Sequence, residues 1–65
     1  MKQFNVQGMT CGHCVRSVTQ AVLSSDPAAT VQVDLSKGLV QVDSRLTDDE
    51  VLGLIRAEGY TATAI

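Results

Sequence analysis

Cys11 and Cys14 are the two cysteines of this chain, and two residues separate them. A pair this close staples almost nothing as a disulfide, because the loop it closes is tiny. In a small secreted domain, several distant pairs would be expected instead. A reduced Cys-x-x-Cys points to metal binding or to redox chemistry. Two thiolates are soft ligands and suit Cu(I), whereas Zn(II) ordinarily takes four ligands. Three neighbours bear on the same chemistry. Met9 offers a third sulfur or a hydrophobic plug under the loop. His13, the sole histidine, offers a ligand, a pH-sensitive modulator or an exposed side chain. Thr10 is suited to a local side chain-to-backbone bond that shapes the loop.

Six short elements are available to position these residues. Gln3 to Gln7 alternates, with Phe4 and Val6 on one face, and reads as a strand that Gly8 ends. From Gly12 to Ser24, Val15, Val18 and Val22 form a helical stripe that stops at Asp26-Pro27. Thr30 to Leu35 and Leu39 to Asp43 alternate about Ser36-Lys37-Gly38 and predict a hairpin. Val31, Val33 and Leu35 face inward from one strand, Val40 and Val42 from the other. Thr47 to Glu50 fits a capping box, with Leu46 and Val51 placed as a hydrophobic staple. Val51, Leu54 and Ile55 form the buried stripe of that second helix. Gly59 follows its end, and Tyr60 to Ile65 reads as a last strand.

The order β-α-β-β-α-β predicts an α+β, ferredoxin-like two-layer sandwich, with a four-stranded antiparallel sheet and two helices on one face. Residues 1–65 are expected to form a single domain. The topology places the loop from Gly8 to His13 beside Glu58 to Tyr60. Cys11 then lies on the loop and Cys14 in the first turn of a helix, where free N–H groups and the positive dipole end favour thiolate.

Composition narrows the function further. Five basic and seven acidic residues give a net charge of −2, which leaves no footprint for nucleic acid. No apolar run is long enough to enter a membrane, and the first residues form no signal peptide, so a cytoplasmic location is expected. Residues 1–25 carry no carboxylate that would oppose thiolate formation.

Gly8-Met9-Thr10-Cys11-Gly12-His13-Cys14 resembles the GMTCxxC motif of the heavy-metal-associated domain family. That family includes soluble copper chaperones and the N-terminal domains of copper-transporting P-type ATPases. The resemblance extends over the whole chain, in length, element order, motif position and the Gly59-Tyr60 pair before the last strand. It implies a non-enzymatic Cu(I) chaperone that holds the ion on Cys11 and Cys14. Delivery would be by thiolate exchange to the matching CxxC domain of such an ATPase, and a copper-bridged homodimer is a further form. Tyr60 resembles bacterial chaperones at this position, where eukaryotic ones tend to have Lys and ATPase domains Phe. Its hydroxyl would donate to a thiolate. Two alternatives stand beside this one. One is a mercury or zinc carrier of the same family. The other is a thiol–disulfide oxidoreductase, since Cys-Gly-His-Cys also occurs in disulfide isomerases.

Overall fold

A computed structural model describes all 65 residues. The elements are β1 (Lys2–Gln7), α1 (Gly12–Ser25), β2 (Thr30–Asp34), β3 (Leu39–Asp43), α2 (Asp48–Ala57) and β4 (Thr61–Ala64). The sheet order is β2-β3-β1-β4, and every neighbouring pair is antiparallel. This is the ferredoxin-like arrangement that the element order predicts.

Alternation decides which sheet face is covered. Phe4 and Val6 of β1, Val40 and Val42 of β3 and Ala62 of β4 are buried together. The opposite face carries Gln3, Asn5, Gln32, Gln41, Thr61 and Thr63. Register aligns the apolar set, with Phe4 opposite both Val40 and Ala64, and Val42 opposite Val31. Val18 and Val22 of α1 and Val51, Leu52 and Ile55 of α2 close the core from the helix side. Phe4 has no exposed surface. Truncating such a ring costs about 3–5 kcal/mol. That compares with a total stability of roughly 3–10 kcal/mol for a chain of this length.

Several expectations shift in detail. Val15 is half-buried and stands outside the core, because the inward line of α1 runs Cys14, Val18, Val22. The inward face is thus centred slightly towards Cys14, with Val18 and Val22 kept, and one of the sulfur-bearing residues joins the packing face. On α2 the buried position beside Val51 is Leu52, with Leu54 half-buried. Leu35 leaves β2 for the turn and is 39% exposed. Tyr60 and Ile65 flank β4 and lie outside it. In the hairpin, Gly38 has φ +61°, and a Cβ there would meet the Val6 carbonyl oxygen at 2.9 Å. Only glycine fits that approach.

Asp26 does more than end α1. It is the one polar residue in the buried set. Its carboxylate accepts from the Ser44 hydroxyl (2.6 Å), the Ala28 amide (3.2 Å) and the Arg45 amide (3.3 Å). The Arg45 guanidinium stands 3.9 Å away. This cluster pins the end of α1 to the segment between β3 and α2. At the start of β1, Lys2 donates to the Leu46 carbonyl and sits 3.6 Å from Asp48. Arg56 reaches from α2 to the Ala62 carbonyl of β4 at 2.7 Å. Beyond β4, the Ile65 amide bonds the Gln3 carbonyl at 3.0 Å, so the two chain ends meet at one pole of the sheet.

The capping box of α2 is complete. The Glu50 amide donates to Thr47 Oγ1, and the Thr47 amide to Glu50 Oε1, both at 3.1 Å. Thr47→Ala is expected to lower stability by about 1 kcal/mol. Thermal denaturation should then show a loss of roughly 4–8 °C. Asp26 supplies a pH-dependent test. The Ser44 hydroxyl, followed by the amides of Arg45 and Ala28, holds its carboxyl below the ordinary 3.8. A depressed carboxyl stabilises the fold above its unfolded value and loses that contribution as pH falls through the folded value. Asp26→Asn should therefore melt below the wild type at neutral pH, and the gap should close in acid below 3.8.

Candidate metal centre

The sulfurs sit where β1 hands over to α1. Gly8 turns the chain out of β1 at φ +97°. Met9 then points inward and is only 8% exposed, a member of the core. Thr10 and Cys11 are exposed, and Cys14 is half-buried against the core. The loop is therefore anchored at both ends and open in the middle. Cys11 is the N-cap residue of α1, in extended conformation, with no side-chain cap and no acidic residue in the first turn. Its carbonyl accepts from the amides of Cys14 (3.1 Å) and Val15 (3.4 Å). The earlier amides of the first turn are left facing the sulfur side.

Both cysteines are free thiols, and their sulfurs are 3.9 Å apart. Cys14 Sγ also lies 4.0 Å from the Gly8 carbonyl. No group of three His, Cys, Asp or Glu side chains gathers here or elsewhere in the chain. His13 is exposed on α1 and does not join the two sulfurs. Met9 is packed into the hydrophobic core beneath the loop. The Thr10 hydroxyl makes no hydrogen bond, against the expectation that it shapes the loop. The backbone of Thr10 bears on the site only by helping to lower the Cys14 thiol.

Tyr60 completes the cluster, as the topology requires. A Cβ on Gly8 would stand 3.4 Å from the edge of the Tyr60 ring, so the ring covers the glycine. The phenol and the Cys14 sulfur act on each other. The Tyr60 hydroxyl is the largest cause that lowers the Cys14 thiol, followed by the Thr10 amide, with burial opposing. The thiol is lowered from 9.0 to about 7. In return, Cys14 raises the Tyr60 phenol, which stays a proton donor at neutral pH. Ser17, half-buried on α1, acts on the phenol in the opposite sense, and the motif alone does not point to it. Its signal in the sequence is its place three residues after Cys14, on the same helix face.

A lowered thiol is thiolate above about 7, and its contribution to stability is lost as pH falls from 9.0 through that value. Alkylation of Cys14, followed by mass spectrometry across pH, should show a midpoint near 7. Tyr60→Phe should move that midpoint up, towards the ordinary 9.0.

Comparison with known proteins agrees with this geometry. The model of the heavy-metal-associated domain matches residues 3–61. The copper chaperone CopZ of Staphylococcus aureus (strain bovine RF122 / ET3-1) is 36% identical over 59 residues, covering 86% of this chain and 87% of that protein. Among solved structures, the copper chaperone Atx1 from Synechocystis PCC6803 is 34% identical with a TM-score of 0.90, covering 94% and 97%. A protein described as gold-binding is 29% identical with a TM-score of 0.94 and full coverage of both chains. On the family match over nearly its whole length, with the paired thiols at the start of α1, this chain belongs to the heavy-metal-associated domain family.

Proposed function

We propose that the chain is a cytoplasmic Cu(I) metallochaperone, a single non-enzymatic domain over residues 1–65. It holds one ion between Cys11 and Cys14 and passes it to the CxxC domain of a copper-transporting P-type ATPase. The observation that carries this reading is the pair of thiols 3.9 Å apart on an exposed helix start, with no third ligand beside them. A monovalent, closed-shell ion is content with two thiolates. A divalent zinc ion calls for about four ligands, which one copy does not supply.

The two sulfurs play unequal parts. Cys14 is packed against the core, whereas Cys11 is exposed on the loop. With metal–sulfur bonds of about 2.3 Å, a separation of 3.9 Å corresponds to an angle of about 115° at the ion. An outward swing of Cys11 opens it towards linear while Cys14 stays fixed. An incoming partner thiolate then makes a three-coordinate intermediate, and one original thiolate leaves, so the ion is never free. The same exposure permits two copies to share an ion as a bridged homodimer.

Met9, Thr10, His13 and Tyr60 surround the ligands without replacing them. Met9 holds the loop down from below, and the Thr10 amide favours the Cys14 thiolate. His13 faces solvent, where it meets a partner domain before it meets the ion. The Tyr60 hydroxyl donates towards Cys14 and disperses the negative charge of the two-thiolate centre. The copper chaperones among the relatives support copper as the cargo. The relative described as gold-binding favours a second soft ion as the alternative. An oxidoreductase role finds no support in the fold, an all-antiparallel sheet unlike the thioredoxin frame.

Anaerobic competition for Cu(I) against a strong chromogenic chelator, with Zn(II) in parallel, tests the proposal. The expected result is tight uptake of one Cu(I) per monomer or per bridged dimer, with weak Zn(II) binding. Cys11→Ser and Cys14→Ser should each cost more than the roughly 10–100-fold that loss of an outer hydrogen-bond partner costs. Tyr60→Phe should fall within that smaller range. Retention of Cu(I) by the double serine variant, or equally tight Zn(II), would overturn the assignment.

A further inference from the structure

The sheet order leaves two free edges, β4 and β2, and they are not finished alike. Along an antiparallel pair, alternate residues exchange hydrogen bonds with the neighbouring strand, and the residues between them turn theirs the other way. The Ile65 amide bonds the Gln3 carbonyl, so in register Thr61 and Thr63 bond to β1 and Ala62 and Ala64 face outward. Arg56 occupies part of that edge, with its guanidinium on the Ala62 carbonyl at 2.7 Å. Across the sheet, the Val6 amide bonds the Gly38 carbonyl. In register, Val40 and Val42 then bond to β1, and Leu39, Gln41 and Asp43 bond to β2. Their partners Asp34, Gln32 and Thr30 are thereby engaged, and the amides and carbonyls of Val31 and Val33 face outward. No loop or cap bond reaches them, and no arginine stands over them as Arg56 does over Ala62.

A free edge is ordinarily defended by a lysine, a proline or a bulge. Thr30-Val31-Gln32-Val33-Asp34 has none of these, and its register with β3 is unbroken. Val31 and Val33 are only half-buried against the core, so an added strand would cover side chains that the helices leave partly open. The segment is also complementary to itself. Antiparallel pairing centred on Gln32 sets Val31 opposite Val33 of a second copy, and Thr30 opposite Asp34. The outward groups of each Val31–Val33 pair then exchange both of their bonds. No like charges meet, whereas a parallel register would set Asp34 beside Asp34. The Asp34 carboxylate already accepts from the Ser36 amide (3.0 Å), the Ser36 hydroxyl (2.6 Å) and the Lys37 amide (3.3 Å), so it asks nothing of the second chain.

We propose that the β2 edge is a self-association surface, on which a second copy of this chain adds its own β2, antiparallel and centred on Gln32. The contact is the same patch on both copies, so a two-fold axis closes it as a dimer. Two four-stranded sheets join into one, with the β4 edges and their Arg56 contacts outermost. Because the paired strands run in opposite directions, the two cysteine loops lie at opposite ends. The seam needs no metal and leaves Cys11 exposed in each copy. It is therefore a different contact from an ion-bridged pair, which sets thiols face to face, and it stands whether or not the metal reading does. A seam of one short strand is a small interface of the transient class, so association rises with concentration.

Sedimentation equilibrium of the reduced, metal-free chain over a wide concentration range tests the seam. The average mass should climb from the monomer value towards twice that value, and no further. The Cys11→Ser, Cys14→Ser double variant should behave identically. Hydrogen exchange should slow with concentration at the Val31 and Val33 amides and stay unchanged at Ala62 and Ala64. Gln32 is exposed, so its substitution spares the fold, yet it meets its own copy across the axis. Gln32→Lys and Gln32→Glu should each weaken association by up to about fivefold, and an equal mixture of the two should recover it. Val33→Pro removes an outward donor while sparing the ladder to β3, and should weaken association about tenfold or more. Its circular dichroism reports whether the fold is kept, and the Gln32 pair decides the register if it is not. A chain that stays monomeric at every concentration would overturn the proposal, as would association that needs the cysteines. Growth beyond a dimer, or a lysine–glutamate mixture no tighter than its components, would also overturn it.

Discussion

The sulfur pair depends on the burial of Met9. One residue, Thr10, separates this nearly covered side chain from the exposed Cys11, so the loop has almost no slack. A thioether suits the task, because its flexible chain fills whatever gap the sheet and helices leave beneath a turn. The far end of the loop is held by Cys14, which packs with Val18 and Val22 along the inward line of α1. The reactive segment thus hangs between two core contacts. Its geometry is inherited from the hydrophobic core and not from bonds among its own polar groups.

The two helices begin in opposite ways. A full capping box and three acidic residues complete the start of α2. The start of α1 has neither a side-chain cap nor a carboxylate. An uncapped helix start costs stability, and a cap of the usual kind contributes about 1 kcal/mol. In α1 the unmet amides and the positive end of the dipole are left to the sulfurs. The cost at one helix is offset by the thorough finish of the other and by the Asp26 cluster, which ties the far end of α1 to the start of α2. Stability and reactivity are therefore carried by different ends of the molecule.

Most of the architecture was legible in the sequence because it follows from period and punctuation. Alternation in Phe4 to Val6 and Val40 to Val42, the helical spacing of Val18 and Val22, and Thr47 to Glu50 each act within a few residues. The topology then followed, and with it the meeting of Tyr60 with the cysteine loop. What escaped depends on longer range. Val15 and Leu54 fit their stripes as well as Cys14 and Leu52 do, and only packing chose between them. The tie from Asp26 to Ser44 spans eighteen residues, and no local pattern announces it.

The chain ends have a consequence of their own. β4 runs back along β1, and the Ile65 amide meets the Gln3 carbonyl at the pole opposite the cysteine loop. Start and finish of this fold are neighbours, and neither approaches the thiols. Units of this kind can be strung in tandem, or spliced into a larger polypeptide, with every connecting segment leaving from the rear. Each copy would keep its sulfurs facing outward, with no tether crossing in front of them.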